Sequence, residues 1–218
     1  MKYLILIAFL LSLSSCDGQN KKKPVQKTTT VKNKTPHIIK EDTMEYFNID
    51  KYKDWEIDSD FSSSDNHKFL KKRNERVEIN FLSDGIQVRL RNFNSPYEKI
   101  KGYSNSTKFL VAEGLDFYGS PIDKTIQYNE KHQIVKEIDY ETPYKFTIED
   151  LIEKIKKEYK VDLGDKSEGS AAGRTSKDGV FYYEVFLRHK TGEQKVEYLL
   201  VDGTTGKTVL KSDFHVTP

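Results

Sequence analysis

The chain is poor in the residues from which sites are most often built. It has one cysteine, Cys16, in 218 residues, together with one tryptophan, six prolines and five histidines. A single thiol excludes an intrachain disulfide and a cysteine-based zinc site. His37, His67, His132, His189 and His215 are scattered, and no two stand at the i, i+4 spacing of an HExxH helix. The chain also lacks a Gly-x-Ser-x-Gly elbow, a Walker loop and a Rossmann glycine pattern. Carboxylates are plentiful, at 34, so pairs such as Asp58 and Asp60 carry little information. Asp58, Asp60 and Asp65 lack the turn glycine and distal glutamate of an EF-hand loop, and a solvated Ser/Asp turn is expected there. The expectation is a non-enzyme with no catalytic residue, no metal and no small-molecule cofactor.

Long apolar runs are absent after the first residues. Lys2 precedes an apolar run over 3–13, and Ser14 and Ser15 are small residues suited to a signal-peptidase site. The run is short of the roughly 20 residues needed to span a bilayer. Leu13-Ser14-Ser15-Cys16 resembles the lipobox of bacterial lipoproteins. That resemblance implies cleavage between Ser15 and Cys16 and acylation of the Cys16 thiol, palmitate-type chains included. The thiol is then unavailable for any other chemistry. Two or more acyl chains give stable anchoring where one does not. The address is the cell envelope, at the periplasmic face of the inner or outer membrane.

Residues 16–40 read as a flexible tether. They hold Lys21, Lys22, Lys23, Lys27, Lys32 and Lys34, with Pro24 and Pro36, and too few apolar residues to offset the entropy of ordering. The whole chain carries +2, but residues 1–34 hold seven lysines and one aspartate, which leaves −4 for the rest. A basic nucleic-acid surface on the folded part is therefore not expected.

The fold expected is α+β: an antiparallel β-rich part over 41–141, then, over 142–214, a helix packed on a small antiparallel sheet. Trp55 reads as a core anchor or, alternatively, a partner-binding residue. Lys71, Lys72 and Arg73, with Lys68 and Arg76, form a basic cluster that is either a solvated face or a dock for an acidic partner. Val77, Ile79 and Phe81, then Ile86, Val88 and Leu90, alternate about Ser83-Asp84-Gly85 as a hairpin. Short strands are expected at 99–103, 108–112, 115–118, 125–128 and 134–138. The pieces FLVAEGLDFY and QYNEKHQIVK resemble degenerate MORN-type hairpins, with His132 where that pattern has glycine.

Thr147-Ile148-Glu149-Asp150 approximates a capping box, and Ile148, Leu151, Ile152, Ile155 and Tyr159 make one helical stripe. Residues 164–179, with four glycines and no large apolar residue, read as a mobile loop. Phe181, Tyr183, Val185 and Leu187 alternate, and then Val196, Tyr198 and Leu200 form the expected apolar face of the next strand. Tyr182-Tyr183-Glu184-Val185 and Glu197-Tyr198-Leu199-Leu200-Val201-Asp202-Gly203-Thr204-Thr205-Gly206-Lys207-Thr208-Val209 resemble a PepSY-type domain. The resemblance implies a non-enzymatic module that inhibits or modulates peptidases or other envelope proteins. The functional expectation is thus a lipid-anchored protein-binding or inhibitory module. The alternative is an immunity lipoprotein that neutralises a secreted toxin.

Overall fold

The structure is a computed structural model that describes residues 44–188 and 195–215. Ser15 and Cys16, the 16–40 tether, His37 and His189 lie outside the described residues. Glu45–Pro218 forms one compact unit that is predominantly antiparallel β-structure, with one α-helix among the described residues.

Eight strands follow one another in space as in sequence: β1 (Glu56–Ile57), β2 (His67–Lys72), β3 (Glu75–Phe81), β4 (Gly85–Asn92), β5 (Tyr97–Ser104), β6 (Leu110–Phe117), β7 (Ser120–Tyr128) and β8 (Ile134–Asp139). In the β3–β4 hairpin, Val77 lies opposite Leu90, Ile79 opposite Val88 and Phe81 opposite Ile86, so the alternation puts all six on one face. The β6–β7 reversal is a two-residue turn with positive φ at both Tyr118 (51°) and Gly119 (81°), which matches the strand twist. The Tyr118 hydroxyl donates to the Leu163 carbonyl at 3.1 Å and its ring meets Phe117 edge-on at 4.9 Å, contacts that offset the strained backbone.

The strands expected separately at 108–112 and 115–118 are one strand, β6, continuous through a bulge at Glu113/Leu115. Gly114 permits this, because a Cβ there would lie 2.9 Å from Thr125 Oγ1. Glycine marks a close approach at this position and does not interrupt the strand.

Helix α1 (Ile148–Tyr159) carries a full capping box: Asp150 N donates to Thr147 Oγ1 at 3.1 Å, and Thr147 N donates to Asp150 Oδ2 at 3.0 Å. A second sheet then has the order β12-β11-β10-β9, from β9 (Ala171–Lys177), β10 (Val180–Arg188), β11 (Lys195–Asp202) and β12 (Thr208–His215).

Two expectations fail here. Residues 164–179 are not a loop: a 3-10 turn at Lys166–Glu168 leads into β9, which pairs with β10 from Ala171 opposite Phe186 to Lys177 opposite Val180. Small residues serve close packing there, with Ala172 in the core and the Cβ position of Gly173 3.6 Å from Ser120 Oγ. In β11 the buried set is Glu197, Leu199 and Val201, opposite Leu187, Val185 and Tyr183, so Val196, Tyr198 and Leu200 occupy the outer face. Neighbouring register decided between two similarly apolar faces.

Two apolar clusters form. One joins Phe117 and Ile122 of the long sheet to Ile148, Leu151 and Ile155 of α1 and to Tyr183, Val185, Leu187, Leu199 and Val201. The other gathers Tyr52, Val77, Ile79, Ile86, Val88, Tyr103 and Leu110, with Phe47 and Trp55 packed against them.

Candidate functional site

The segment before β1 lies over the apolar face of β3 and β4. A 3-10 turn, Ile49–Tyr52, starts from Asn48, whose side chain accepts from Asp50 N at 2.8 Å. The turn delivers Tyr52 into the second cluster, and Trp55 meets Tyr52 edge-to-face at 5.4 Å. Glu45 pins the segment's start by accepting from Tyr103 Oη at 2.7 Å and from Lys101. Burial pushes the Glu45 carboxyl up, but these two bonds outweigh it and hold the group below its ordinary range.

Beside this segment an open cleft of about 440 Å³ is lined by Tyr52, Trp55 and Leu90 of the second cluster and by Tyr97 and Leu115, which pack on the first. It lies at the seam of the two cores. The remaining lining is Lys51, Glu75, Arg76, Arg91, Asn92 and Lys99, but Arg76 and Arg91 alternate onto the opposite face of the sheet with Glu98, which leaves Lys51 and Lys99 against Glu75 on the cleft side. Burial raises the pKa of both Tyr52 and Tyr97, with Glu45 adding to the first and Glu149 to the second, so both stay neutral hydroxyls.

The cations differ in how far they are committed. The Arg76 side chain is 11% exposed, pairs with Asp58, reaches Asp60 at 3.2 Å and lies over the rings of Phe61 (4.2 Å) and Phe93 (4.7 Å). Arg91 lies 3.4 Å from Glu98. Lys99 is half exposed and lies 3.9 Å from Glu113, a long ion pair, while Lys51 lies 5.8 Å from the centre of the Tyr52 ring. The least committed positive charge at the cleft is therefore that of Lys51 and Lys99.

Of the residues the sequence singled out, Trp55 borders the cleft and Lys71, Lys72 and Arg73 do not. Lys71 Nζ lies 3.5 Å from Asp58, Lys72 pairs with Asp54, and Arg73 turns the β2–β3 hairpin at φ 54°. The solvated turn expected at Asp58 is instead a buried ion site: the residue has no exposure, and its oxygens meet Arg76, Lys71 and the Asp60 N–H (3.2 Å). Burial drives the Asp58 carboxyl up, yet the Arg76 and Asp60 hydrogen bonds prevail and its pKa is lowered. Sequence reasoning missed Tyr97, Leu115, Lys51 and Lys99, which only the folded sheet brings together; the Tyr52 and Trp55 spacing of three was the one local signal.

On the other face of the sheet, Glu98 and Asp116 are cross-strand neighbours, and Arg89 Nη1 reaches Glu98 at 2.9 Å. Burial raises the Asp116 pKa, which Arg89 opposes and Glu98 reinforces. Neither carboxylate lines the cleft. No group of three or more His, Cys, Asp or Glu gathers at metal-binding distance among the described residues. No helix among them is long and apolar enough to cross a membrane. Comparison with family models, with curated proteins and with solved structures returns no match.

Proposed function

We propose that the chain is a lipid-anchored envelope protein that holds a protein partner in the Trp55 cleft, without catalysis of its own. The observation that carries this is the cleft itself: a half-buried tryptophan, two tyrosines and two leucines framed by Lys51 and Lys99. Large aromatics beside two weakly engaged lysines suit an extended partner segment with an apolar anchor and acidic flanks. The lipobox resemblance at Cys16 supports the anchor, and the lack of an acidic run after Cys16 supports the periplasmic face over the cell surface. The C-terminal part reads as an α+β, PepSY-like unit, supported by the packing of Ile148, Leu151 and Ile155 against the β10 and β11 residues of one cluster. A module that modulates a peptidase or sensor fits these features. The immunity reading keeps the same anchor and cleft and changes only the partner, to a secreted toxin.

A photoactivatable residue in place of Leu115, in the full chain and in cells, tests the cleft. Covalent capture of one protein is expected, and Trp55→Ala should weaken that complex by about 2 kcal/mol, roughly thirtyfold, in a binding titration. Capture that is indifferent to Trp55→Ala sinks the cleft assignment. The chemistry of the captured protein, toxin or envelope peptidase, separates the two readings. Cys16→Ala should move the protein from the membrane to the soluble fraction; retention in the membrane overturns the anchor.

A further inference from the structure

Residues 45–55 cross the apolar face of the long sheet as a strap fastened at its two ends. At the first end Glu45 does most of the fastening. Its carboxylate accepts from Tyr103 Oη at 2.7 Å and from Lys101, and its carbonyl accepts from Leu110 N at 2.8 Å. One further backbone bond follows, from Phe47 N to the Lys108 carbonyl at 2.7 Å. At the other end Lys72 pairs with Asp54, the two-residue β1 lies against β2, and Asp58 is held by Arg76. Between these ends the backbone bonds are internal: Lys53 N donates to the Asp50 carbonyl at 3.2 Å and Trp55 N to the Tyr52 carbonyl at 3.0 Å. Among the described residues, the backbone of 48–55 makes no hydrogen bond to the rest of the molecule. Side chains alone hold this stretch down, with Tyr52 in the second cluster and Trp55 against it.

We propose that residues 45–55 let go of the sheet as a unit while both sheets stay folded, with Glu45 as the latch and β1 as the hinge. Three features single out this segment. Strands β2 to β8 complete their pairing with one another without it, and the cluster that includes α1 contains none of its residues. The bonds that shape its turn are its own and survive lifting, whereas its outward bonds are few and gather at Glu45. Its surface is also poorly covered, since Tyr46 is 58% and Ile49 40% exposed. Local opening begins where the fewest bonds and the least burial hold a segment. Lys51, Tyr52 and Trp55 line the cleft from this segment, so release takes that wall away and uncovers Val77, Ile79 and Val88. The site proposed for the partner is then complete only while Glu45 is fastened, and this consequence rests on the cleft reading. The detachment itself does not.

Trp55 is the only tryptophan of the chain, so its fluorescence reports on the strap, while far-UV circular dichroism reports on the sheets. In a urea titration of the full chain in detergent, Trp55 emission should move to the red with a midpoint about 1 M below that of the dichroism. Glu45→Gln keeps the shape of the side chain and removes its charge. It should lower the Trp55 midpoint by a further ~0.5 M and leave the dichroism midpoint in place. Glu137→Gln, which breaks an exposed pair with Lys124 between β7 and β8, should move neither. Native-state hydrogen exchange reads the same event without a substitution: the amides of 45–55 should exchange together and ahead of those of β3 and β4. Coincident midpoints in the unsubstituted chain, a common shift of both signals in Glu45→Gln, or exchange of 45–55 no faster than that of β3 and β4 each overturns the proposal. These readouts need no partner, so a failed strap and a failed cleft reading are distinguishable.

Discussion

At Asp58, replacing the carboxylate with an amide separates charge from shape. The side chain is shielded from solvent and faces Arg76 and Lys71, so Asp58→Asn removes the carboxylate facing Lys71 and leaves Arg76 with Asp60 alone. Removing one partner of such a buried arrangement costs about 3 kcal/mol, expected as a lower midpoint in urea at pH 7. Because the Asp58 pKa is lowered in the folded state, its contribution is complete above the ordinary aspartate value near 4 and is lost as pH falls through the folded value. The gap between wild type and Asp58→Asn should therefore narrow below about pH 4, and a constant gap down to pH 2 would contradict the ion site. The sequence displayed both halves of this site, an Asp/Ser stretch and a basic cluster, as separate solvated features. Asp58 and Arg76 lie 18 positions apart and meet only because β1 pairs with β2 and β2 with β3, pairings that local pattern does not encode.

Among the elements, β3, β4 and α1 were legible because large apolar side chains recur at the period of their structure. β9 was not, because its task is to fit beneath neighbours. Its one large side chain that is not exposed, that of Arg174, keeps only 8% of its surface accessible and stitches three segments. It makes a two-pronged pair with Glu141 at 2.8 and 2.9 Å, donates to the carbonyls of Pro121 (3.1 Å) and Tyr140 (3.2 Å), and lies 4.2 Å over the Tyr144 ring. Lysine keeps the charge but loses the planar fork and the stacking. Arg174→Lys should lower stability by about 2–3 kcal/mol and the melting temperature by roughly 5–10 °C in calorimetry. An unchanged melting temperature would mean that β9 is held by its strand pairing alone.

Across the whole unit, the long sheet contributes to both apolar clusters, through Phe117 and Ile122 to one and through Val77, Ile79, Ile86 and Val88 to the other. The clusters therefore share a backbone framework and should unfold together. Pulsed hydrogen exchange in denaturant should give β3–β4 peptides and α1 peptides the same midpoint. Separate midpoints would make the seam at the cleft a boundary between independently folding parts. The cleft was the least legible feature: Trp55 stood out by being unique, but its companions come from the turn before β1 and from β3 to β6.

The long sheet has one further property, its order of assembly. Every strand from β2 to β8 pairs with the strand that precedes it in the chain. Closing each pair requires only a short loop, and local pairing of this kind favours fast folding. A chain that emerges N-terminus first from the ribosome has no strand of this sheet that must wait for a distant partner. Each hairpin can close as it emerges, and only the cluster that includes α1 and β9 to β11 depends on the last residues to arrive.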